Sequence, residues 1–215
     1  MEKVQIYIDA GNFYHMVLRK LDCKEVDFDF DKLARFLSSE GRTITDEGKR
    51  FYVGTVREGH ESKEAMSNQS ALFSELVKSK WEIKTSKLRS RQEKIRIDHR
   101  VQDYQKLLNL GIKEISYQRS REKGIDVKLA TDLIVGAVDE KYDTAIVVSS
   151  DTDLVPAVDW VRNRMKLKIE YIGFSIPESA KHEATRPVKT LIYHTDIQRV
   201  LSEADIKPFI KSKLL

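Results

Sequence analysis

The chain has 215 residues, of which 40% are hydrophobic and 33% charged, with a formal net charge of +4. That length suits one α/β domain with a decorated middle, and the apolar fraction is that of a globular core rather than a disordered segment. A single cysteine, Cys23, excludes an intrachain disulfide and a thiolate zinc cluster and fits a reducing, cytoplasmic setting; no early window reads as a secretory signal, and no run reaches the roughly 20 apolar residues of a membrane span.

In chain order, Val4 to Ile8 is the first strand-like run and ends at Asp9, after which Phe13, Met16, Val17, Leu18 and Leu21 follow at helical spacing. Phe28 to Ser39 places Leu33, Phe36 and Leu37 on one helical face, and Gly41 is positioned to close that helix. Phe51 to Val56 predicts a second core strand, Lys63 to Lys78 an amphipathic helix, and Trp81 to Thr85 a third strand. From Gln92 to Asn109 a polar, charged stretch predicts a helix ended by Gly111, inserted ahead of a β-like run from Lys113 to Gln118. Val127 to Val138 reads as a buried helix, Thr144 to Ser149 as a central strand, Pro156 to Asn163 as a helix whose first turn tolerates proline, and Lys168 to Phe174 as another strand. The tail from Ile197 predicts helix up to Pro208, packed on the edge of the sheet.

Strands separated by helices favour a parallel sheet covered on both faces. The expected fold is therefore a three-layer α/β/α sandwich with a mainly parallel sheet. Its main domain spans 1–175 with a charged helical insertion around 89–111, and 176–215 is an extension packed on the same domain. Neither a glycine-rich phosphate loop nor a Gly-x-Ser-x-Gly elbow is present, which counts against nucleotide-dependent and serine-hydrolase chemistry.

Charge is unevenly spread. Between Lys78 and Lys128 there are fifteen Lys or Arg against seven Asp or Glu, a local net of +8, which leaves the rest of the chain at −4. The densest part, Lys84 to Arg96, is resumed at Arg119, Arg121 and Lys123, directly before Asp126. Cationic contacts to phosphates supply most non-specific nucleic-acid affinity, so a polyanion held here would lie beside that acid. The bland competitor is a solvated charged face.

Carboxylates stand just after the two most strand-like runs: Asp9 in Ile8-Asp9-Ala10-Gly11-Asn12, and Asp151 with Asp153 in Ser149-Ser150-Asp151-Thr152-Asp153. In an open α/β sheet the crevice beyond the carboxyl ends of parallel strands is where ligands bind, so these acids and Asp126 can converge. Converging carboxylates ask for a hard cation, Mg²⁺ or Mn²⁺, which holds few protein oxygens plus water and serves phosphate chemistry. Each acid also has an ordinary reading as a helix N-cap, and Asn12 as a turn residue. Asp132 lies about 120 degrees around the helix from Asp126 and is a secondary candidate.

Asp9-x-x-Asn12, Lys123-Gly124-Ile125-Asp126 and Ser149-Ser150-Asp151-Thr152-Asp153 resemble, in order and spacing, the three motifs of NYN domains, and of their LabA-like branch in particular, over roughly residues 3 to 175. The resemblance implies a PIN-like nuclease fold, an acidic Mg²⁺ or Mn²⁺ site and endoribonuclease activity on RNA. It implies catalytic and metal-holding roles for Asp9, Asp126, Asp151 and Asp153. Substrate contacts are expected from Asn12, Ser150, Arg119, Arg121 and Lys123. A silent nucleic-acid-binding regulatory module of the same fold is the main alternative. A phosphatase with an aspartyl nucleophile is weaker, since Asp9 is followed two residues on by Gly11, although Asp151 and Asp153 have that spacing. No membrane partner is expected, and the sequence leaves room for a homo-oligomer.

Overall fold

In the computed structural model, residues 1–55, 63–87, 89–121 and 124–211 are described, with backbone only at 87, 89–91 and 119–121. The chain divides into two compact units, Met1–Ser86 with Gly124–Leu215, and Lys87–Lys123.

The first unit is built on a six-stranded sheet. Its strands are β1 (Glu2–Asp9), β2 (Arg42–Thr55), β3 (Glu82–Lys87), β6 (Thr144–Val148), β7 (Lys168–Ser175) and β8 (Ile197–Ser202), in the order β3-β2-β1-β6-β7-β8. The pairings of β1 with β2, β1 with β6, β6 with β7 and β7 with β8 are all parallel. Helices α1 (Ala10–Met16), α2 (Phe30–Ser38), α3 (Lys63–Lys78), α5 (Ile125–Val138), α6 (Val155–Trp160), α7 (Lys189–His194) and α8 (Glu203–Ile206) complete this unit. Among the described residues no helix is long and apolar enough to cross a membrane.

Alternation along each strand sends side chains to two different cores. Val4, Ile6 and Ile8 of β1, Phe51 and Val53 of β2, Ile146 and Val148 of β6, and Ile172 and Phe174 of β7 join Phe13, Phe28, Phe30, Leu33 and Leu37. Tyr7, Tyr52, Ala145, Val147 and Ile169, from the same strands, join Leu129 and Leu133 of α5 together with Tyr142. Cys23 is a buried free thiol in the first core.

Local chemistry sets the helix ends. Asp29 caps α2 by accepting from Lys32 N at 2.8 Å. After α2 the chain turns through Ser39 and Gly41, both at positive φ, so the glycine does reverse the backbone there. Sequence periodicity shortened β2, which begins at Arg42 and bulges where the β1 register shifts between Val4 and Ile6. The tail departs more clearly from expectation: Ile197 to Ser202 is a strand, not a helix, and adds to β7. Its Arg199 and Arg42 of β2 both pair with Glu170, a fully buried carboxylate, with Arg42 Nη1 at 2.6 Å. Such a triad is costly to break, because losing one partner leaves a buried charge uncompensated.

The second unit also departs from its expectation. The stretch expected as a helix from Gln92 to Asn109 begins instead within a strand, β4 (Arg89–Arg96), and is helical only over Tyr104–Asn109 (α4), ahead of Gly111 at positive φ; the β-like run from Lys113 to Gln118 is strand as expected, β5 (Glu114–Arg121), which pairs antiparallel with β4 in a ribbon. The apolar residues Ile95, Ile97 and Val101, which suggested an irregular helix, belong to a strand and the turn after it.

Candidate functional site: an acidic corner at the strand ends

β1 ends at Asp9, and its carboxylate begins the next element by capping α1, with Oδ1 accepting from Asn12 N at 3.0 Å. The N-cap reading of Asp9 thus holds, but it uses one oxygen only. Oδ2 accepts from Ser149 Oγ at 3.1 Å, across from the end of β6. Ser149, 1% exposed, also accepts from Asp151 N at 3.2 Å, so one hydroxyl links the two aspartates. Asp151 in turn caps the short turn Thr152–Leu154, with Oδ1 accepting from Asp153 N at 2.8 Å. Asp153 is not a cap; it is exposed within that turn.

Asn12 closes a second bridge between the same two strand ends. Its Oδ1 accepts from Ser150 N at 3.0 Å and from Ser150 Oγ at 2.9 Å. Each β6-end serine is thereby matched to one residue of the Asp9-x-x-Asn12 motif. An oxygen accepting two donors fixes the amide's orientation and turns its NH₂ away from Ser150.

Asp126 enters from a third element. α5 begins at Ile125 with Gly124, at φ +87, as its N-cap, so Asp126 lies in the first turn and does not cap the helix. It is exposed, yet its carboxyl is held above the usual range by partial desolvation and by the charges of Asp151 and Asp153. Asp126 therefore lies within electrostatic reach of Asp151 and Asp153.

The donor set is hard and oxygen-only, the chemistry that Mg²⁺ or Mn²⁺ takes. Among the described residues, however, no group of three or more His, Cys, Asp or Glu side chains is gathered to hold a metal ion. The arrangement therefore suits an ion held by one or two carboxylates and completed by water and substrate oxygens, the usual state of protein-bound Mg²⁺.

Asp132 is engaged elsewhere. Its Oδ2 accepts from Tyr52 Oη at 2.8 Å and lies 3.6 Å from Arg50 and 3.9 Å from Lys84. Glu82 joins the group, at 2.5 Å from Lys84 and 3.4 Å from Arg50, the latter as an ion pair without hydrogen-bond geometry. This network was not read from the sequence; the only signal was Arg50-Phe51-Tyr52, a charged and a phenolic residue flanking a core phenylalanine. Arg119 and Arg121 lie on β5, with side chains outside the described residues, and Lys123 lies outside them entirely.

Residues 3–195 match the NYN domain family. The chain belongs to that family. The match is to the NYN domain as a whole and carries the PIN-like nuclease fold with it; the LabA-like assignment stands on the motif resemblance. A crystal structure of a protein of unknown function from Vibrio parahaemolyticus is similar in fold, with a TM-score of 0.55 and 17% sequence identity over 94% of each chain. No curated protein matches the chain. The NYN match runs through β7 to Thr195, short of β8.

Proposed function

We propose that this NYN domain is a divalent-metal-dependent endoribonuclease, acting on RNA phosphodiesters at the corner formed by Asp9, Asp126, Asp151 and Asp153. The observation that carries the reading is the hydrogen-bonded chain from Asp9 through Ser149 to Asp151. It ties the Asp9 carboxylate at the end of β1 to the Asp151 backbone just past the end of β6, a link no helix cap requires.

A bound Mg²⁺ or Mn²⁺, held by Asp126 and Asp151 with Asp9 and Asp153 acting directly or through water, would supply an acidified water and offset charge on the leaving oxygen. The chain's own residues do the positioning. Ser149 orients Asp9 and the backbone of Asp151. Asn12, held by Ser150, leaves its NH₂ as a neutral donor for a phosphate oxygen. Arg119, Arg121 and Lys123 are assigned to substrate phosphates, and a cytoplasmic location is part of the same reading.

The second reading, a silent RNA-binding regulatory module, draws on the dispersal of the carboxylates. Cleavage of labelled single-stranded RNA, structured RNA and DNA by wild type and Asp151→Asn, in Mn²⁺, Mg²⁺ or EDTA, separates the two. Metal-dependent cutting of RNA that the substitution removes is the expected result. RNA binding by the wild type without cutting in either metal overturns the nuclease reading in favour of the module.

A further inference from the structure

The six-stranded sheet has two edge strands, and they are finished differently. β3 carries Glu82, Lys84 and Lys87, whereas β8, Ile197-Gln198-Arg199-Val200-Leu201-Ser202, carries one charge, Arg199. That arginine does not stand out as an edge cation: its guanidinium is drawn to Glu170 on β7 and donates to Ser39 Oγ at 3.1 Å. β8 has no proline, and its register with β7 runs from Glu170 opposite Ile197 to Ser175 opposite Ser202 without a shift, so no bulge bends it away. Outward charges, proline and bulges are the devices that keep an edge strand from pairing with another chain. β8 has none of them, in a chain that is 33% charged.

Which backbone groups the edge offers follows from the ladder. Lys168 N donates to the Asp143 carbonyl where the β6–β7 pairing starts, so alternation turns the even residues of β7 toward β6 and the odd ones toward β8. The Ile169 carbonyl accordingly accepts from Asp196 N at 2.9 Å, just ahead of β8. On β8 the groups that meet this side of β7 are those of Ile197, Arg199 and Leu201, which leaves the N–H and C=O of Gln198 and Val200 on the outer edge. Among the described residues neither finds a backbone partner outside the ladder. Ser202 N is held by Asp205 Oδ2 at 2.8 Å, so only its carbonyl is left on that edge.

The side chains beside those groups are uncharged. Strand alternation puts Gln198 and Val200 on one face and Arg199 and Leu201 on the other, where Leu201 joins Phe174 in the buried core. Val200 is 45% exposed. Gln198 Nε2 donates to the carbonyls of Ile192 and Thr195 at 3.2 and 2.7 Å, which sets the end of α7 beside this face, and Tyr193 there is 81% exposed. Such an edge can pair with itself, antiparallel across a two-fold axis, and charge selects the register. Centring on Arg199 sets two arginines opposite each other, a destabilising like-charge pair. Centring on Val200 sets valine against valine, Arg199 against Leu201 and Gln198 against Ser202. In that register the N–H and C=O of Val200 exchange bonds with those of its copy, and Gln198 N–H reaches the Ser202 carbonyl.

We propose that β8 docks on β8 of a second copy of this chain, antiparallel and centred on Val200, to make one continuous sheet across a two-fold axis. The inference is independent of the nuclease reading. A six-residue edge is a small contact, in the class that buries less than about 1,200 Å² and associates weakly, so a Kd of about 10–100 µM is expected. The test is sedimentation equilibrium of the full chain in reductant, from about 1 µM to about 1 mM, a range that brackets this Kd. V200K sets two lysines opposite each other and is expected to raise Kd at least about tenfold, with Tm within about 2 °C of wild type because the site is half-exposed. V200T keeps an uncharged β-branched residue and is expected to stay within about twofold. Without reductant, V200C is expected to form a disulfide-linked dimer, since hydrogen-bonded antiparallel partners have Cα atoms about 5.5 Å apart, within the span of about 4.4–6.8 Å that a disulfide bridges. Q198C, about 13 Å from its copy in this register, and the wild type, with only the buried Cys23, are expected to stay unlinked. Should V200K prove unstable, the V200C crosslink decides. A chain that stays monomeric throughout the series, a dimer as tight in V200K as in wild type, or crosslinking of Q198C in place of V200C overturns the proposal.

Discussion

The two faces of the central sheet solve the same burial problem with different side chains. One face is phenylalanine: the ring of Phe13 meets those of Phe28, Phe30 and Phe174 with centroids 5.3, 5.9 and 5.4 Å away. The other is tyrosine: Tyr7, Tyr52 and Tyr142 stack or meet edge-on, and each hydroxyl has an assigned acceptor. Tyr7 donates to Gln5 Oε1 at 2.8 Å, Tyr52 to Asp132 at 2.8 Å and Tyr142 to the Leu133 carbonyl at 2.7 Å. Dispersion holds the first face without much angular preference, whereas hydrogen bonds to α5 fix the second in register. Asp126 rides on α5, while Asp9 ends β1 and Asn12 rides on α1, the helix packed by Phe13. The candidate site thus lies where a densely packed face and a hydrogen-bonded face end together.

The largest expected effect comes from emptying the phenylalanine face. Phe13→Ala removes a ring that is 1% exposed and shared by three aromatic neighbours. A loss of about 3–5 kcal/mol is expected, on the scale of other Phe→Ala core changes. Thermal unfolding should show Tm lower by about 10 °C. A fall of only a degree or two would mean that this face collapses onto the gap and is less tightly packed than its ring contacts indicate.

The tyrosine face is tested by overfilling. A Cβ at Gly136, buried in α5, would sit 2.8 Å from Tyr7 Oη, 2.9 Å from Tyr142 Cε1 and 3.1 Å from Gln5 Oε1. The glycine is there for close approach, since its backbone is helical and a helix interior otherwise disfavours it by about 1 kcal/mol. Gly136→Ala gains that propensity, but with two of these atoms under 3.0 Å away it forces fully buried rings aside at about 2–3 kcal/mol, the upper part of the overpacking range. The net expectation is a loss of about 1–2 kcal/mol, with Tm down by about 5 °C. A variant as stable as the wild type would show that the hydrogen bonds yield and that the two faces do not differ in stiffness.

Much of this frame was legible in advance because strands buried on both faces announce themselves. Val4 to Ile8 and Ala145 to Val148 are runs that only a covered parallel sheet accommodates, and acids just past their ends read directly as a ligand corner. The joining groups were also within reach, since Ser149, Ser150 and Asn12 belong to the motifs. Long-range electrostatics was not. Nothing local to Ile197-Gln198-Arg199-Val200-Leu201-Ser202 favours strand over helix; Arg199 meets Glu170, 29 positions earlier, and that buried pair accompanies the strand. The first strand of the ribbon was missed for a related reason, although the second had read as β. The ribbon's apolar residues face one another across a turn of 17 residues, from Ile97 to Lys113, and single-chain periodicity does not register cross-strand partners. Asp132 illustrates a residue whose helical phase was read correctly but whose partners, on β2 and β3, come from elsewhere in the chain.

The smallest effect separates the faces by pH. Burial raises the pKa of the tyrosine hydroxyls above their ordinary range, but their neutral forms are the native ones at neutral pH, so no stability is lost. Glu25 lies in the turn between Cys23 and Phe28, two members of the phenylalanine core, and burial pushes its carboxyl up to about 7. Here the raised value has the opposite consequence. The unfolded chain ionises Glu25 near its ordinary 4.5, so above pH 7 folding carries an ionised, partly desolvated carboxylate, and the penalty disappears as pH falls from about 7 towards 4.5. Glu25→Gln removes it at every pH. Because water still reaches this half-buried side chain, the gain at pH 8 should be about 1 kcal/mol, or about 3 °C in Tm, well under the full linkage value. The two proteins should then converge in Tm as the pH is lowered to 4.5. A constant offset between them across that range would mean that Glu25 acts through packing, and that the phenylalanine face, like the tyrosine face, tolerates its polar neighbour without an electrostatic penalty.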